Sequence, residues 1–276
     1  MSAPGIIGES LARLTGSDGP VPRAAAALHL PLNREITMLA NRKQLTAHSV
    51  WTHPPVDTGG LPVLVIGGLG SSPVVLASLY DWLHRLNARP ALAPIRLGVG
   101  CGERAVRLVN GSLDRLCDAA GEPVLLIAHS RGGQFARSVA VRRPESVRGL
   151  ITLGSPLNRM LAVHPMVKAQ VAMLGFAGTL GVPGLMRMGC MWGNCCRQLR
   201  DDLVAPFPAQ VPFVSMYSRA DTVVDWRASL DPAARNVEVR TTHSGLIADP
   251  EVFVILAEYL QFMAARRVTP AVYQAA

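Results

Sequence analysis

Residues 123–133 read PVLLIAHSRGG, an apolar run that passes directly into a serine between small residues. The run 123–128 is typical of a buried strand of a parallel sheet, and a helix is predicted at residues 134–142. Ser130 therefore lies on a tight strand-to-helix turn, where small neighbours leave clearance and the helix N-terminus favours developing negative charge. This context indicates a catalytic nucleophile; the alternative is an ordinary glycine-rich turn.

Strands and helices alternate on both sides of this turn. Apolar runs predict further strands at residues 61–66, 91–97, 147–153, 211–217 and 236–240. Helices are predicted at residues 74–87, 103–119 and 250–265, and a helical pattern occupies residues 31–50. Such alternation predicts an α/β fold with a mostly parallel central sheet flanked by helices.

The chain of 276 residues suits one domain with an insertion. We expect an N-terminal arm and helix at 1–60, the α/β core at 61–156 and 206–276, and a helical cap at 157–205. Within the cap, residues 169–186 carry no charge, a run of 18 that just reaches membrane-spanning length. Its glycines and Pro183 would interrupt a spanning helix, so we expect two short apolar helices and a loop.

The net charge is +8, but the basic residues are scattered and only two of the 27 are lysine, so no nucleic-acid partner is expected. The N-terminal residues lack a basic region followed by an apolar core, which predicts no secretory signal and a cytoplasmic location. Any membrane association would be peripheral, through contact of the cap with a lipid surface.

The five cysteines predict neither a metal site nor a cofactor. Cys190, Cys195 and Cys196 lie within seven residues, while Cys101 and Cys117 stand apart. A zinc site needs four ligands, usually two pairs of closely spaced residues, and no second pair matches this cluster. We expect small buried side chains in the cap, and a disulfide from Cys190 to Cys195 or Cys196 remains open.

A serine nucleophile needs a base, and the base needs an orienting carboxylate. On a turn of this kind the acid and then the base follow the serine along the chain. Only His243 follows the last predicted strand, so it is the expected base; the alternative is a surface-loop histidine. Asp221, after the strand at 211–217, is the expected acid, with Asp225 as an alternate acid or a structural cap.

An oxyanion hole needs two backbone N–H groups. The first is expected from Arg131, directly after the serine. The second is expected from Leu69, or its neighbour Gly70, in the loop GGLGSSP at residues 67–73. A phosphate-binding loop is the rival, but this loop lacks the Gly-Lys-Ser/Thr ending.

The segments VLVIGGLGSSP, LLIAHSRGGQFA, GLITLGSPL, SMYSRADTVVDW and TTHSGL resemble α/β-hydrolase lipases and esterases, particularly lipase-like hydrolases of actinobacteria. The resemblance implies a triad of Ser130, Asp221 and His243, with Leu69 and Arg131 as oxyanion donors. The sequence departs from the family at Ala128, where many members have glycine. It also departs in the loop at 67–73, which lacks the His-Gly pair that many lipases show.

The implied activity is hydrolysis of carboxylic esters, a small-molecule substrate class, with an apolar acyl group. Acyl thioester hydrolysis or acyl transfer is the alternative enzyme activity, and a non-catalytic binding protein of the same fold is the alternative outside enzymes. Methionines of the cap either line an acyl pocket or pack the cap on the core. They are Met160, Met166, Met173, Met186, Met188 and Met191.

Overall fold

The computed structural model describes residues 38–266. The predicted arm at residues 1–30 lies outside the described residues, as does the start of the helical pattern at 31–50. The strands of the described residues form one parallel sheet of six, in the order β2-β1-β3-β4-β5-β6. Their bounds are β1 Pro62–Ile66, β2 Arg89–Leu92, β3 Val124–His129, β4 Val147–Leu153, β5 Phe213–Tyr217 and β6 Arg235–Glu238.

Helices cover both faces of this sheet. In chain order they are α1 Met38–Ala47, α2 Ser49–Thr52, α3 Pro73–Arg85, α4 Gly102–Ala120, α5 Gly132–Arg142, α6 Pro165–Thr179, α7 Gly189–Trp192, α8 Arg197–Val204 and α9 Pro250–Ala265. Short 3-10 helices lie at Pro144–Ser146, Asn194–Cys196, Trp226–Ser229 and Gly245–Ile247.

Alternate residues of the strands supply two separate hydrophobic cores. In β1, Val63 and Val65 face the core that contains α3 and α9. Leu64 and Ile66 face the core that contains α4, α5 and part of the insertion after β4. Because both faces are covered, the inner strands β1, β3, β4 and β5 are almost entirely buried, and the predicted parallel sheet flanked by helices is confirmed.

The largest difference from the predicted strands is in β2, which was predicted at 91–97 and ends at Leu92. Ala93 donates one more hydrogen bond, to Val65. Pro94 then has no N–H to continue the ladder, and Leu97 has a φ of +50°. The chain therefore leaves the sheet early and forms a loop before α4.

The insertion after β4 has one long helix where two short ones were expected. Over residues 169–186 the described structure contains a single helix, α6, which ends at Thr179. Gly181 and Gly184 then adopt φ values of +101° and +83°, which prevents a second helix in this stretch. No helix between residues 38 and 266 is long and apolar enough to cross a membrane.

The end of the insertion is anchored on the core. Leu199 of α8 is fully buried beside α4 and α5. The buried carboxylate of Asp202 accepts hydrogen bonds from Ser138 Oγ at 2.5 Å and Arg142 Nε at 2.6 Å, both on α5. α8 therefore attaches the end of the insertion to the core.

Candidate active site

Ser130 lies at the carboxyl end of β3 in a strained conformation. Its φ is +56°, in a region that non-glycine residues seldom occupy. Its N–H donates to the carbonyl of Leu153 in β4 at 2.9 Å, and its carbonyl accepts from Gly133 at 3.0 Å. These two hydrogen bonds hold the turn that was predicted from the sequence.

The small residues after Ser130 are needed because the end of β1 and a side chain after β4 lie against them. A Cβ on Gly132 would lie 2.5 Å from the carbonyl oxygen of Ile66, and one on Gly133 would lie 2.2 Å from Ser155 Oγ. The nearest atoms to Gly132 thus belong to the end of β1. A side chain at either position would push α5 away from the sheet.

The loop after β1 packs directly against the Ser130 turn. A Cβ on Gly68 would lie 2.7 Å from the nitrogen of Arg131 and 2.8 Å from Ser130 Cβ. Gly68 and Gly70 donate their N–H groups to Ser71 Oγ and the Leu97 carbonyl. Among the hydrogen bonds of residues 38–266, the N–H groups of Leu69 and Arg131 have no acceptor. These are the two amides predicted as oxyanion donors.

Asp221 and His243 come together at the same edge of the sheet, after β5 and β6. His243 Nδ1 donates to Asp221 Oδ2 at 2.7 Å, with both side chains buried. Asp221 Oδ1 accepts from the N–H groups of Val223 and Val224, each at 2.8 Å. Because the carboxylate accepts from Nδ1, the lone pair of the neutral imidazole is on Nε2, the nitrogen a base would use.

His129 connects the Ser130 turn to this pair. Its ring lies against that of His243, with centroids 4.7 Å apart, and its Nε2 donates to the His243 carbonyl at 3.1 Å. Burial, reinforced by the charge of His243, lowers the pKa of His129 from 6.5 to about 3, so the ring stays neutral. No hydrogen bond joins Ser130 to His243 among the described contacts; such bonds often form only with substrate bound.

Asp225, the alternate acid, and His164, in the insertion, have structural roles. Asp225 caps the 3-10 helix Trp226–Ser229 through Arg227 N–H and pairs with Arg159 at 3.3 Å, so it is the structural cap rather than the partner of His243. His164 caps α6 by accepting from Met166 N–H.

The side chain of Arg131 points away from the turn. Its guanidinium donates to the carbonyls of Gly98 and Gly100, in the loop before α4, and lies over the Phe135 ring. Burial lowers the pKa of this guanidinium, and nearby cysteines oppose that shift. Only the backbone of Arg131 therefore faces the candidate oxyanion hole. No sequence pattern predicts this contact between Arg131 and Gly98, which is 33 residues away in the chain.

The cysteines differ from the sequence-based expectation. Cys101, expected to stand apart, lies with Cys190, Cys195 and Cys196, and the four sulfurs are within 4.8 Å of one another. Cys190 and Cys196 are buried, as expected, while Cys195 is exposed. All five cysteines fall within the described residues and are free thiols. Cys190 therefore forms no disulfide with Cys195 or Cys196.

The cap methionines divide into two groups. Met186 and Met191 are buried in the core, and Met160 and Met188 pack against it. Met173 is 71% exposed on α6. Most of these methionines therefore pack the insertion onto the core.

No protein-family profile matches this sequence, and no curated protein is detectably similar to it in sequence. Solved structures match its fold. The mature form of lipase BlEst2 from Bacillus licheniformis aligns with a TM-score of 0.56 at 15% identity, over 74% of this chain and 94% of that one. A soluble variant of monoglyceride lipase from Saccharomyces cerevisiae, in complex with a substrate analogue, aligns with a TM-score of 0.52 at 18% identity, over 78% and 90%.

A monoacylglycerol lipase from Paleococcus ferrophilus aligns with a TM-score of 0.51 at 16% identity, over 74% of this chain and 96% of that one. Identities this low show the fold and not the substrate. The chain has the α/β-hydrolase fold, so the predicted fold class is confirmed.

Proposed function

Because the chain has the α/β-hydrolase fold, we propose that it is a serine hydrolase that cleaves carboxylic esters. Ser130 is the nucleophile, His243 is the general base and Asp221 orients the imidazole. The N–H groups of Leu69 and Arg131 stabilise the oxyanion. The solved structures of similar fold include lipases, which agrees with this activity.

The observation that carries the proposal is the buried His243–Asp221 hydrogen bond of 2.7 Å beside the strained Ser130 turn. A non-glycine residue with a positive φ has a strained backbone, and such strain is concentrated at functional sites, where it has a reason. A serine hydroxyl held at a helix N-terminus, on a turn whose His129 ring packs on an imidazole of fixed tautomer, supplies that reason. A binding protein of the same fold would need neither the tautomer nor the strain.

The reaction has two steps. Ser130 Oγ attacks the ester carbonyl while His243 Nε2 takes its proton, and the resulting oxyanion accepts from the N–H groups of Leu69 and Arg131. The imidazolium, stabilised by Asp221, protonates the leaving alcohol and leaves an acyl-Ser130. Water, deprotonated by His243, then attacks this acyl-enzyme, and the carboxylic acid is released as the imidazolium returns the proton to Ser130 Oγ.

We propose an apolar acyl group because the insertion presents an apolar surface to solvent. Met173, Phe176 and Leu180 are 71%, 63% and 71% exposed. Their spacing of three and four residues sets them on one face of α6. Lys168 on α6 and Arg187 in the insertion are exposed cations. A helix face of this kind suits peripheral contact with a lipid surface that carries the substrate.

The test is hydrolysis of nitrophenyl esters of increasing acyl length by the wild type and Ser130→Ala. We expect activity that rises with acyl length, and a loss of about 10⁴-fold or more in kcat in the folded variant. Wild-type rates in Ser130→Ala would overturn the proposal.

Hydrolysis of thioesters would use the same residues. Inhibition by free coenzyme A distinguishes it from hydrolysis of simple esters. Free coenzyme A should not compete with a nitrophenyl ester if the substrate is a simple ester. Competitive inhibition by coenzyme A would instead assign a coenzyme A thioester as the substrate.

A further inference from the structure

Four cysteine sulfurs converge at one point, although they come from distant parts of the chain. Cys101 Sγ lies 3.3 Å from Cys195 Sγ and 3.5 Å from Cys196 Sγ, and Cys190 Sγ lies 3.8 Å from Cys195 Sγ. All four sulfurs are within 4.8 Å of one another. Cys101 and Cys195 are 94 residues apart in sequence, so the fold rather than a local motif creates this cluster.

These spacings match the edges of a tetrahedron around one metal ion. With zinc–sulfur bonds of about 2.3 Å, the sulfurs of a tetrahedral site are about 3.8 Å apart. A disulfide would bring two of the sulfurs to about 2 Å. An iron–sulfur cluster would hold its cysteines farther apart, since several iron and sulfide atoms lie between them.

Four sulfurs this close together favour a cation among them. As thiolates they would repel one another, and a divalent cation bound by all four removes that repulsion.

Backbone amides surround the sulfurs as they do around bound thiolates. Arg187 N–H lies 3.4 Å from Cys190 Sγ. The backbone N–H groups of Arg104 and Glu103, in the first turn of α4, lie close to the sulfurs of Cys101 and Cys196. The Arg131 guanidinium is close enough for the cysteines to stabilise its charge. Four thiolates on a divalent ion carry a net charge of −2, which these donors and this guanidinium offset.

We propose that Cys101, Cys190, Cys195 and Cys196 bind one zinc ion in a tetrahedral structural site. Four protein ligands leave no open position for a substrate, so the site is structural. Cys101 precedes α4 of the core, while the other three lie in the insertion. The metal therefore joins the insertion to the core next to the side chain of Arg131. Exposed Cys195 gives the ion its path of entry.

The test measures zinc in the full-length protein, purified under reducing conditions without chelators and then incubated with zinc and desalted. We expect one zinc per chain in the wild type. Cys195→Ser, at the exposed ligand, should bind zinc at least about 100-fold more weakly, since even outer-shell changes cost about 10- to 100-fold. Cys117→Ser is the matched control, because Cys117 contacts the Ser146 carbonyl outside the cluster and should leave the stoichiometry at one.

Two further measurements need no variant. Cobalt(II) in place of zinc should give the intense visible absorption of a tetrahedral thiolate complex, and a chelator should lower the Tm of the zinc-loaded wild type. Zinc bound equally by wild type and Cys195→Ser would overturn the proposal. So would a reduced, folded wild type that binds no zinc, or a cobalt spectrum without thiolate charge transfer.

Discussion

The Ser130 turn and the insertion after β4 are held in place by different kinds of contact. At the turn, backbone packs on backbone. A Cβ on Gly68 would meet the nitrogen of Arg131 at 2.7 Å, and one on Gly132 would meet the Ile66 carbonyl at 2.5 Å. No side chain at these positions fits without moving the main chain.

In the insertion, side chains make the attachments. Asp202 accepts from Ser138 and Arg142, Leu199 fills the core, and three cysteines reach Cys101. Such contacts can be removed one at a time while the backbone stays in place. We therefore expect changes at the turn and its partners to act on catalysis, and changes in the insertion to act on stability and on access to substrate.

The largest difference in activity is expected between variants of two aspartates in one loop. Asp221 binds His243 beside the Ser130 turn, whereas Asp225 contacts the insertion through Arg159. Asp221→Asn should lower kcat by about 10⁴-fold, since the amide no longer fixes the imidazole tautomer. Asp225→Asn keeps a capping oxygen, loses only the exposed ion pairs with Arg159 and Arg227, and should change kcat/KM by about two-fold or less. Steady-state kinetics on a soluble ester measure both. Equal losses would place the orienting acid elsewhere.

A glycine pair tests the backbone packing at the turn. Gly68→Ala should lower kcat by about 10³-fold, because displacing the Arg131 amide removes an oxyanion donor. Gly189→Ala, in the insertion, has open space around its Cβ and an ordinary φ, and should match the wild type. Circular dichroism confirms folding before kinetics. A fully active Gly68→Ala would mean that the loop is not held against the turn.

Two adjacent aspartates of α8 test the anchoring of the insertion. Asp202→Ala leaves buried Ser138 and half-buried Arg142 without the carboxylate that they share and should lower the free energy of unfolding by about 3 kcal/mol. Exposed Asp201 makes no such contact, so Asp201→Ala should change it by less than about 0.5 kcal/mol. Urea denaturation measures both. Similar losses in the two variants would contradict the role assigned to Asp202.

The smallest effect is expected from two exposed phenylalanines. Phe176→Ser, on α6, should reduce hydrolysis of a long-chain ester in vesicles by about ten-fold, which corresponds to about 1.4 kcal/mol of lost surface binding. Hydrolysis of a soluble short-chain ester should not change. Phe262→Ser, on α9 and 56% exposed, removes a similar side chain from another surface and should affect neither substrate. A reduced rate on the soluble ester would place Phe176 in the substrate pocket itself.

The fold follows from local patterns in the sequence. Apolar runs predicted the inner strands β1, β3, β4 and β5, because a strand covered on both faces must be apolar throughout, while the predicted edge strands β2 and β6 are shorter and more exposed. The position of Ser130 was predictable for the same reason, since a strand, a turn and a helix leave their signals within about a dozen residues. The chain order then selected His243 and Asp221, which the structure joins by a hydrogen bond.

What the sequence could not predict depends on contacts between distant residues. The convergence of Cys101 with the other three cysteines requires the loop before α4 to meet the insertion. The packing of the His129 ring on His243 spans 114 residues. In the insertion, the apolar composition does not distinguish one helix from two; the positive φ values of Gly181 and Gly184 decide it. Each of these features is set by tertiary packing, which no short sequence pattern encodes.

The central claim is that the hydroxyl of Ser130 is a nucleophile activated by His243. Covalent labelling by a fluorophosphonate, with the modified residue located by mass spectrometry, tests it most directly. The account predicts one adduct per chain, on Ser130, formed rapidly by the wild type and at least about 10³-fold more slowly by His243→Ala. Folded wild-type protein that gains no adduct, or gains it on another residue, would contradict the account.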